Sequence, residues 1–172
     1  MTLVELLIAL TVMAIISSAA FSIVLAATNN QRYGAAQQTA IGETELAWHR
    51  LLANGRAALS TTSFPIPAAA PVISTDANGQ SRLTLNVPDV TNATTRTIVY
   101  SCTGSSPPYT LVESDPRYNV AGTPCILAHN VTAFTATLGN TNGQQIWIDL
   151  QVAPSNTGFP IRRHFCIDCR NF

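Results

Sequence analysis

The N-terminal 27 residues form an almost uninterrupted apolar segment that contains a single carboxylate. Between Thr2 and Thr28 the only ionisable side chain is Glu5, in the run MTLVELLI. As a helix that rises about 1.5 Å per residue, this segment would extend roughly 40 Å, which is enough to cross a bilayer. An acidic side chain at mid-bilayer costs about 2.5 kcal/mol or more, so Glu5 is a candidate functional residue.

Two common kinds of apolar N-terminus fit this segment poorly. A secretory signal peptide carries a basic region before a shorter apolar stretch, whereas here the apolar run starts at residue 1 and is longer. A basic leader that has already been removed would account for the difference. An ordinary signal anchor matches the hydropathy but gives Glu5 no task.

Composition and motifs argue against catalysis and against an electrostatically driven partner. Only 10% of the residues are charged, and the formal net charge is zero, so there is no charge argument for nucleic acid. No nucleophile elbow, phosphate loop or paired-carboxylate motif is present, and His49, His129 and His164 are scattered along the chain. We therefore expect no enzymatic activity and no cofactor.

After the apolar segment, residues 28–59 remain compatible with a helix and contain no proline. Apolar residues recur on one helical face at spacings that predict an amphipathic helix packed on a sheet. The residues of this face are Tyr33, Ala40, Ile41, Trp48, Leu52 and Leu59.

The rest of the chain predicts a connecting loop and then a sheet. Residues 60–81 are rich in Ser, Thr, Pro and Ala and indicate a loop, while residues 82–172 contain six runs with the alternation of strands. Those runs are Arg82–Val87, Thr95–Cys102, Tyr109–Ser114, Val131–Leu138, Gln145–Val152 and Arg162–Cys169. Hairpin turns are expected at Asn142-Gly143 and at 104–108. One long helix followed by antiparallel strands predicts an α+β fold.

The N-terminal run MTLVELLIALTVMAIISSAAFSIVLAA resembles the mature N-terminus of type IV pilins and pseudopilins. Residues 2–7 match the family pattern in register, including Glu5, and Met1 replaces the usual Phe. The closing segments ILAHNVTAFTATL, IWIDLQVA and CRNF are similar to those of the larger minor pilins. The resemblance implies the pilin fold. Residues 1–27 would be the transmembrane and filament-core helix, and residues 28–59 a scaffold helix on an antiparallel head.

The resemblance also implies a route of assembly. A prepilin peptidase would cut a leader ahead of Met1, whose new amine is then N-methylated, and the subunit would wait in the inner membrane. Copies of this chain and other pilins would then form a helical filament. Glu5 would pair with the α-amino group of residue 1 in an adjacent subunit, because a buried charge needs a partner, and Thr2 would add a hydroxyl hydrogen bond.

Several functions remain open at this level. The filament would be an extracellular pilus for adhesion, motility or DNA uptake, with this chain as a major or minor subunit, or else a periplasmic pseudopilus of a type II secretion system. A membrane-anchored binding module that never polymerises is a third reading. DNA contact through Arg162, Arg163 and Arg170 has little support at zero net charge.

One departure from the family concerns the helix breakers. Many pilins have glycine at position 14 and proline at position 22, where the helix melts in the filament. Here these positions hold Ala14 and Ser22, so the sequence gives little reason to expect melting over residues 14–22.

The four cysteines all lie in the second half of the chain, at Cys102, Cys125, Cys166 and Cys169. An even number behind a membrane segment predicts structural disulfides in an oxidising compartment, while a zinc site of four cysteines or a redox pair at 166–169 are the alternatives. Three pairings are open, and the preferred one joins Cys102 to Cys125 and Cys166 to Cys169. Similar pilins staple a variable surface region near the C-terminus, and the 103–124 loop would be its equivalent, stabilised by roughly 3 kcal/mol.

Overall fold

The structure, a computed structural model, describes residues 2–59, 71–89, 94–118, 122–139, 145–154 and 159–168. They form one helix, α1, and seven strands. The elements are α1 (Leu3–Leu59), β1 (Val72–Thr75), β2 (Ser81–Asp89), β3 (Thr94–Thr103), β4 (Tyr109–Ser114), β5 (Cys125–Leu138), β6 (Gln145–Val152) and β7 (Ile161–Asp168).

Helix α1 is continuous over 57 residues, a length of about 85 Å. It has no internal proline, and its hydroxyl side chains bond back to the carbonyls of the preceding turn, as Ser18 does to Ile15 at 2.9 Å and Ser22 to Ala19 at 2.7 Å. These bonds satisfy the hydroxyl groups within the helix. The helix therefore runs without a break through residues 14–22 of the subunit.

The seven strands form one antiparallel sheet in which every strand pairs with its neighbour along the chain, in the order β1 to β7. With α1 packed on this sheet, the predicted α+β fold is confirmed, and the arrangement is pilin-like. All six predicted strands are present. The predicted loop at residues 60–81 needs correction, because strand β1 lies inside it and pairs with β2. Residues 60–70 and the predicted turn at Asn142-Gly143 lie outside the described residues.

The sheet is curled, so that the start of β2 meets the second half of β5. The first half of β5 pairs with β4, and from Val131 onward β5 pairs with β6. The edge of residues 131–138 that does not pair with β6 faces the start of β2. There the backbone N–H of Phe134 donates to Gln80 at 2.7 Å, and that of Ala136 donates to the Ser81 hydroxyl at 2.9 Å. Side chains here satisfy backbone groups that no strand among the described residues pairs.

The helix buries a face made mainly of small residues. Its buried members are Ala40, Thr44, Ala47, Leu51, Gly55 and Ala58. Small side chains let the helix lie close to the sheet. At Gly55, an added Cβ would lie 2.6 Å from Cδ1 of Ile167 on β7. Nearer the N-terminus of the helix, Glu43 accepts a hydrogen bond from the backbone N–H of His129 on β5 at 2.7 Å. This bond fixes the helix against the sheet.

The predicted buried face was wrong by about one residue. Most of the residues predicted to face the sheet lie one position C-terminal to the residues that are buried there. Ile41 and Tyr33, expected to face the sheet, are 43% and 47% exposed. Trp48 and Leu52 are only partly buried against the core, and the side chain of Leu59 lies outside the described part of the chain. The prediction followed the largest apolar residues, whereas close packing selected the small ones.

Candidate functional site

The N-terminal half of α1 carries a continuous apolar surface that the rest of the molecule does not cover. An 18-residue window has a mean hydropathy of 2.4, and none of it is buried. By length and composition this segment can cross a membrane, so it is compatible with membrane anchoring. Large apolar side chains point outward on all sides of it. They are Leu3, Val4, Leu6, Leu7, Ile8, Leu10, Val12, Met13, Ile15, Ile16, Phe21, Ile23, Val24 and Leu25.

At the start of this surface, Thr2 and Glu5 form a capping box. The backbone N–H of Thr2 donates to Oε2 of Glu5 at 2.8 Å, and the backbone N–H of Glu5 lies 3.4 Å from the Thr2 hydroxyl. The Thr2 carbonyl accepts the first helical bond, from Leu6, at 3.3 Å. Two N–H groups that the helix cannot satisfy itself thus gain partners. The carboxylate also stabilises the positive end of the helix dipole.

The capping box changes the argument about Glu5. The carboxylate has a partner within its own subunit, so the charge by itself does not require a second chain. The reading as a plain membrane anchor, which left Glu5 without a task, is therefore also consistent with Glu5, whose task would be to cap the helix. Met1, the predicted site of processing and intersubunit pairing, lies outside the described residues. The Thr-x-x-Glu spacing was visible in the sequence and could have revealed the cap.

The predicted disulfide between Cys102 and Cys125 is corrected by the structure. Among the described residues, the thiols of Cys102, Cys125 and Cys166 are free. Cys102 pairs with Leu111 across β3 and β4, and Cys125 pairs with Glu113 across β4 and β5. A whole strand lies between them, so their Cα atoms are at least about 9 Å apart, beyond the roughly 7 Å limit for a disulfide.

The second predicted disulfide has only one of its cysteines in the described part of the chain. Cys166 lies on β7 with a free thiol, and Cys169 falls outside the described residues. Burial, with Asp168 nearby, raises the pKa of the Cys166 thiol above its ordinary value.

Ion pairs hold the segment that the Cys102–Cys125 disulfide was expected to fix. Asp115, which is 1% exposed, accepts from Nη1 of Arg96 at 2.7 Å and from the backbone N–H of Arg117 at 3.0 Å. The guanidinium of Arg117 in turn pairs with Asp89 at the end of β2. The turn after β4 is thereby fixed to two strands by charged side chains rather than by a covalent bond.

A second polar cluster joins the helix to the sheet at Glu113. Asn54 on α1 donates to the Tyr100 hydroxyl at 2.6 Å and lies 3.5 Å from Oε1 of Glu113. Arg50 lies 3.9 Å from the same oxygen, and its guanidinium covers the Tyr118 ring at 4.9 Å. The other oxygen, Oε2 of Glu113, is buried and has no hydrogen-bond partner among the residues that the structure describes. A buried carboxylate with one unsatisfied oxygen destabilises the ionised form.

The pKa values in this cluster follow from burial. Burial raises the pKa of the Glu113 carboxyl above its ordinary value of 4.5, an effect that Arg50 opposes. Burial likewise raises the pKa of the Tyr100 hydroxyl well above its ordinary range. The unfolded chain releases the Glu113 proton near 4.5, whereas the folded chain keeps it to higher pH. Unfolding therefore releases a proton in this window, and stability falls as pH rises through it.

Replacing Glu113 with Gln should flatten this pH dependence. Glutamine keeps the shape of the side chain and removes the charge that burial disfavours, so we expect the variant to gain about 1 kcal/mol over the wild type near pH 8. The gain should shrink as pH falls toward 5. Urea unfolding of the full chain in micelles at several pH values measures this. The prediction is contradicted if the stability difference between the variant and the wild type favours the variant less at pH 8 than at pH 5.

The thiols should differ sharply in reactivity. Burial, with a smaller effect from Asp76, raises the pKa of the Cys102 thiol to about 12, so almost none of it is thiolate at neutral pH. Cys125 is exposed. We expect iodoacetamide to label native Cys125 at least about tenfold faster than Cys102, with the difference lost on unfolding. Peptide mapping without reduction serves as the check, since a Cys102–Cys125 crosslink would refute the assignment.

The remaining candidates are the possible metal ligands and the arginines considered for DNA. Within the described ranges, no group of three or more His, Cys, Asp or Glu residues is placed to hold a metal ion. Of the arginines considered for DNA, Arg162 pairs with Asp149 and Arg163 lies 3.6 Å from Glu45, while Arg170 is outside the described residues. The close Asp149 carboxylate weakens the attraction of Arg162 for phosphate.

Comparison of the chain with protein-family models, with curated proteins and with solved structures found no match.

Proposed function

We propose that this protein is a structural subunit that polymerises through its N-terminal helix into a type IV pilus filament. The observation that carries the proposal is the uncovered half of α1, whose apolar window is entirely exposed in the subunit. Such a surface needs lipid or other apolar helices around it, because an exposed apolar surface of this size is unfavourable in water. Lipid would cover it before assembly, and the helices of other copies would cover it in the filament.

The scaffold half of the helix favours polymerisation over simple anchoring. A bilayer takes about 20 helical residues, and the buried face on the head begins only at Ala40. Beyond the membrane-length segment, Tyr33, Ile41 and Leu46 are 43–47% exposed. A plain anchor would leave these apolar side chains in water. Neighbouring subunits in a filament would cover them.

The proposed partners follow from the same surface and from the family resemblance. They are further copies of this chain and other pilins, with the inner membrane before assembly and a prepilin peptidase that exposes the amine of Met1. In the filament, Glu5 would exchange its bond to the Thr2 backbone for a pair with that amine in a neighbouring subunit. The charge would then set the axial register, since a misaligned subunit leaves two charges unsatisfied.

The proposal is tested by asking where the chain is found. Filaments sheared from the surface of producing cells should contain it, as identified by mass spectrometry and seen by electron microscopy. Short filaments confined to the periplasm would favour the pseudopilus of a secretion system. A chain recovered only from the membrane fraction, with no filament, would overturn the proposal in favour of an anchored module.

A further inference from the structure

A groove runs between α1 and the edge strand β7. It has a volume of about 270 Å³ and is lined by Glu45, Trp48, His49, Arg163, His164 and Phe165. Its apolar floor is an edge-to-face pair, with the Trp48 and Phe165 rings 4.2 Å apart at 83°. The volume is close to the lower end, about 300 Å³, of ligand pockets. A ligand of one ring fits this space.

The polar groups around this floor make no hydrogen bond within the described part of the chain. Arg163 forms an ion pair with Oε1 of Glu45 at 3.6 Å, which is too long for a hydrogen bond. Arg163 and Glu45 are 50% and 56% exposed. The Trp48 indole N–H and the His49 ring likewise make no hydrogen bond to a described residue. The groove thus offers a guanidinium, an indole N–H, an imidazole and a carboxylate above an apolar floor.

Strand β7 contributes further hydrogen-bonding groups. It pairs with β6 on one side and has no neighbouring strand among the described residues on the other, so alternate backbone groups face outward there. The ring of His164 stacks on Trp147 at 5.3 Å, on the sheet face opposite Phe165. His164 therefore borders the groove by its place on the strand rather than by a ring over the floor.

We propose that this groove binds a single acidic sugar residue, a pyranose ring that carries a carboxylate. The C–H face of such a ring is apolar enough to pack on Trp48, which lies against the buried Phe165 ring, and its hydroxyl groups both donate and accept, as the mixed lining requires. The carboxylate matches the planar fork of Arg163. An acidic saccharide uses the floor, the donors and the acceptor together. A neutral sugar leaves the Arg163 guanidinium with only its distant Glu45 partner, and a simple carboxylate does not cover the apolar floor.

Titration of the full chain with glucuronate tests this. The chain is labelled with ¹⁵N and held in micelles of a zwitterionic detergent. A detergent with a sugar headgroup is avoided, because the headgroup would compete with glucuronate for the groove. The two indole N–H resonances are assigned with Trp147→Phe. We expect the Trp48 resonance to shift and saturate while that of Trp147 stays in place. Glucose, with the same ring and no carboxylate, and acetate, with no ring, should each bind at least about tenfold more weakly.

The matched pair of variants is Arg163→Gln and Arg162→Gln. Arg162 is 67% exposed and pairs with Asp149 away from the groove, so its loss tests charge without touching the site. Arg163→Gln should weaken glucuronate binding at least about tenfold, and Arg162→Gln should not. The proposal is overturned by any of three results: no saturable shift of Trp48, acetate or glucose binding as well as glucuronate, or equal losses in the two variants.

Discussion

Replacing Glu5 with Gln should abolish filaments while leaving the start of the helix intact. Glutamine serves as well as glutamate at this position of a capping box, so the bond from the Thr2 backbone is kept. The negative charge is lost, however. An amine left unpaired in an apolar filament core costs about 3–5 kcal/mol, which lowers the association constant at each contact by a factor of about 10² to 5 × 10³. Electron microscopy of sheared preparations measures the filament yield.

Thr2→Ala is the matched control, because it weakens the cap and keeps the charge. It removes the hydroxyl that lies 3.4 Å from the Glu5 N–H, a loss of about 0.5–2 kcal/mol at the helix start. We expect filaments to persist in this variant, because the Thr2 hydroxyl would add only one hydrogen bond of about 1 kcal/mol to the intersubunit contact, whereas Glu5 carries the charge. Normal filaments in Glu5→Gln would show that the charge is not needed. Filaments that persist in Glu5→Gln but are lost in Thr2→Ala would assign Glu5 to the cap alone, and the intersubunit pair would have to be abandoned.

The strands were predictable because alternation is a local property. In β2 and β6 the pattern of buried and exposed residues follows the sequence pattern almost residue by residue, since each strand lays one face on the core. Strand β1 was missed because Val72–Thr75 holds just two apolar residues after a Pro- and Ala-rich stretch. Its pairing with β2 is a tertiary contact that four residues do not reveal.

The orientation of α1 and the state of the cysteines were not predictable for a related reason. Large residues such as Ile41 dominate a hydrophobic pattern, yet Ala47 and Gly55 lie on the sheet, because small side chains allow close approach. The Cys102–Cys125 pairing depended on which strands are neighbours, and β4 lies between them. The spacing of residues along the chain reveals neither the buried face of the helix nor the order of the strands.

The sequence predicted which segment forms the candidate site, but it did not predict the side-chain contacts. The apolar helix and Glu5 stand out in the sequence, and so does the Thr-x-x-Glu spacing once it is sought. The contacts of Glu113 do not, although alternation in the run YTLVES places this residue on the same face of β4 as Tyr109 and Leu111. Its polar neighbours Arg50 and Asn54 come from a distant segment, and the sequence pattern does not reveal them.

Truncating Leu51 to Ala should remove much of the stability of the head. Leu51 is fully buried in the centre of the helix–sheet interface. Loss of a buried leucine side chain costs about 2–5 kcal/mol, through lost transfer energy and the cavity left behind. That is a large part of the roughly 5–15 kcal/mol that stabilises an ordinary domain. Denaturant unfolding of the full chain in micelles, followed by the fluorescence of the interfacial Trp48, measures the loss.

Two substitutions on the same helix decide which face holds the sheet. Leu46→Ala makes the same chemical change five residues earlier at a position 46% exposed, and Ile41→Ala truncates a residue 43% exposed that the sequence pattern placed on the buried face. Each should cost less than about 1 kcal/mol in the unassembled subunit, because the side chain is already largely in contact with solvent. A loss at Ile41 as large as that at Leu51 would mean that the helix packs on the face that its large apolar residues predict. Reduced filament yield in Ile41→Ala with an unchanged head stability would instead place Ile41 at a contact between subunits.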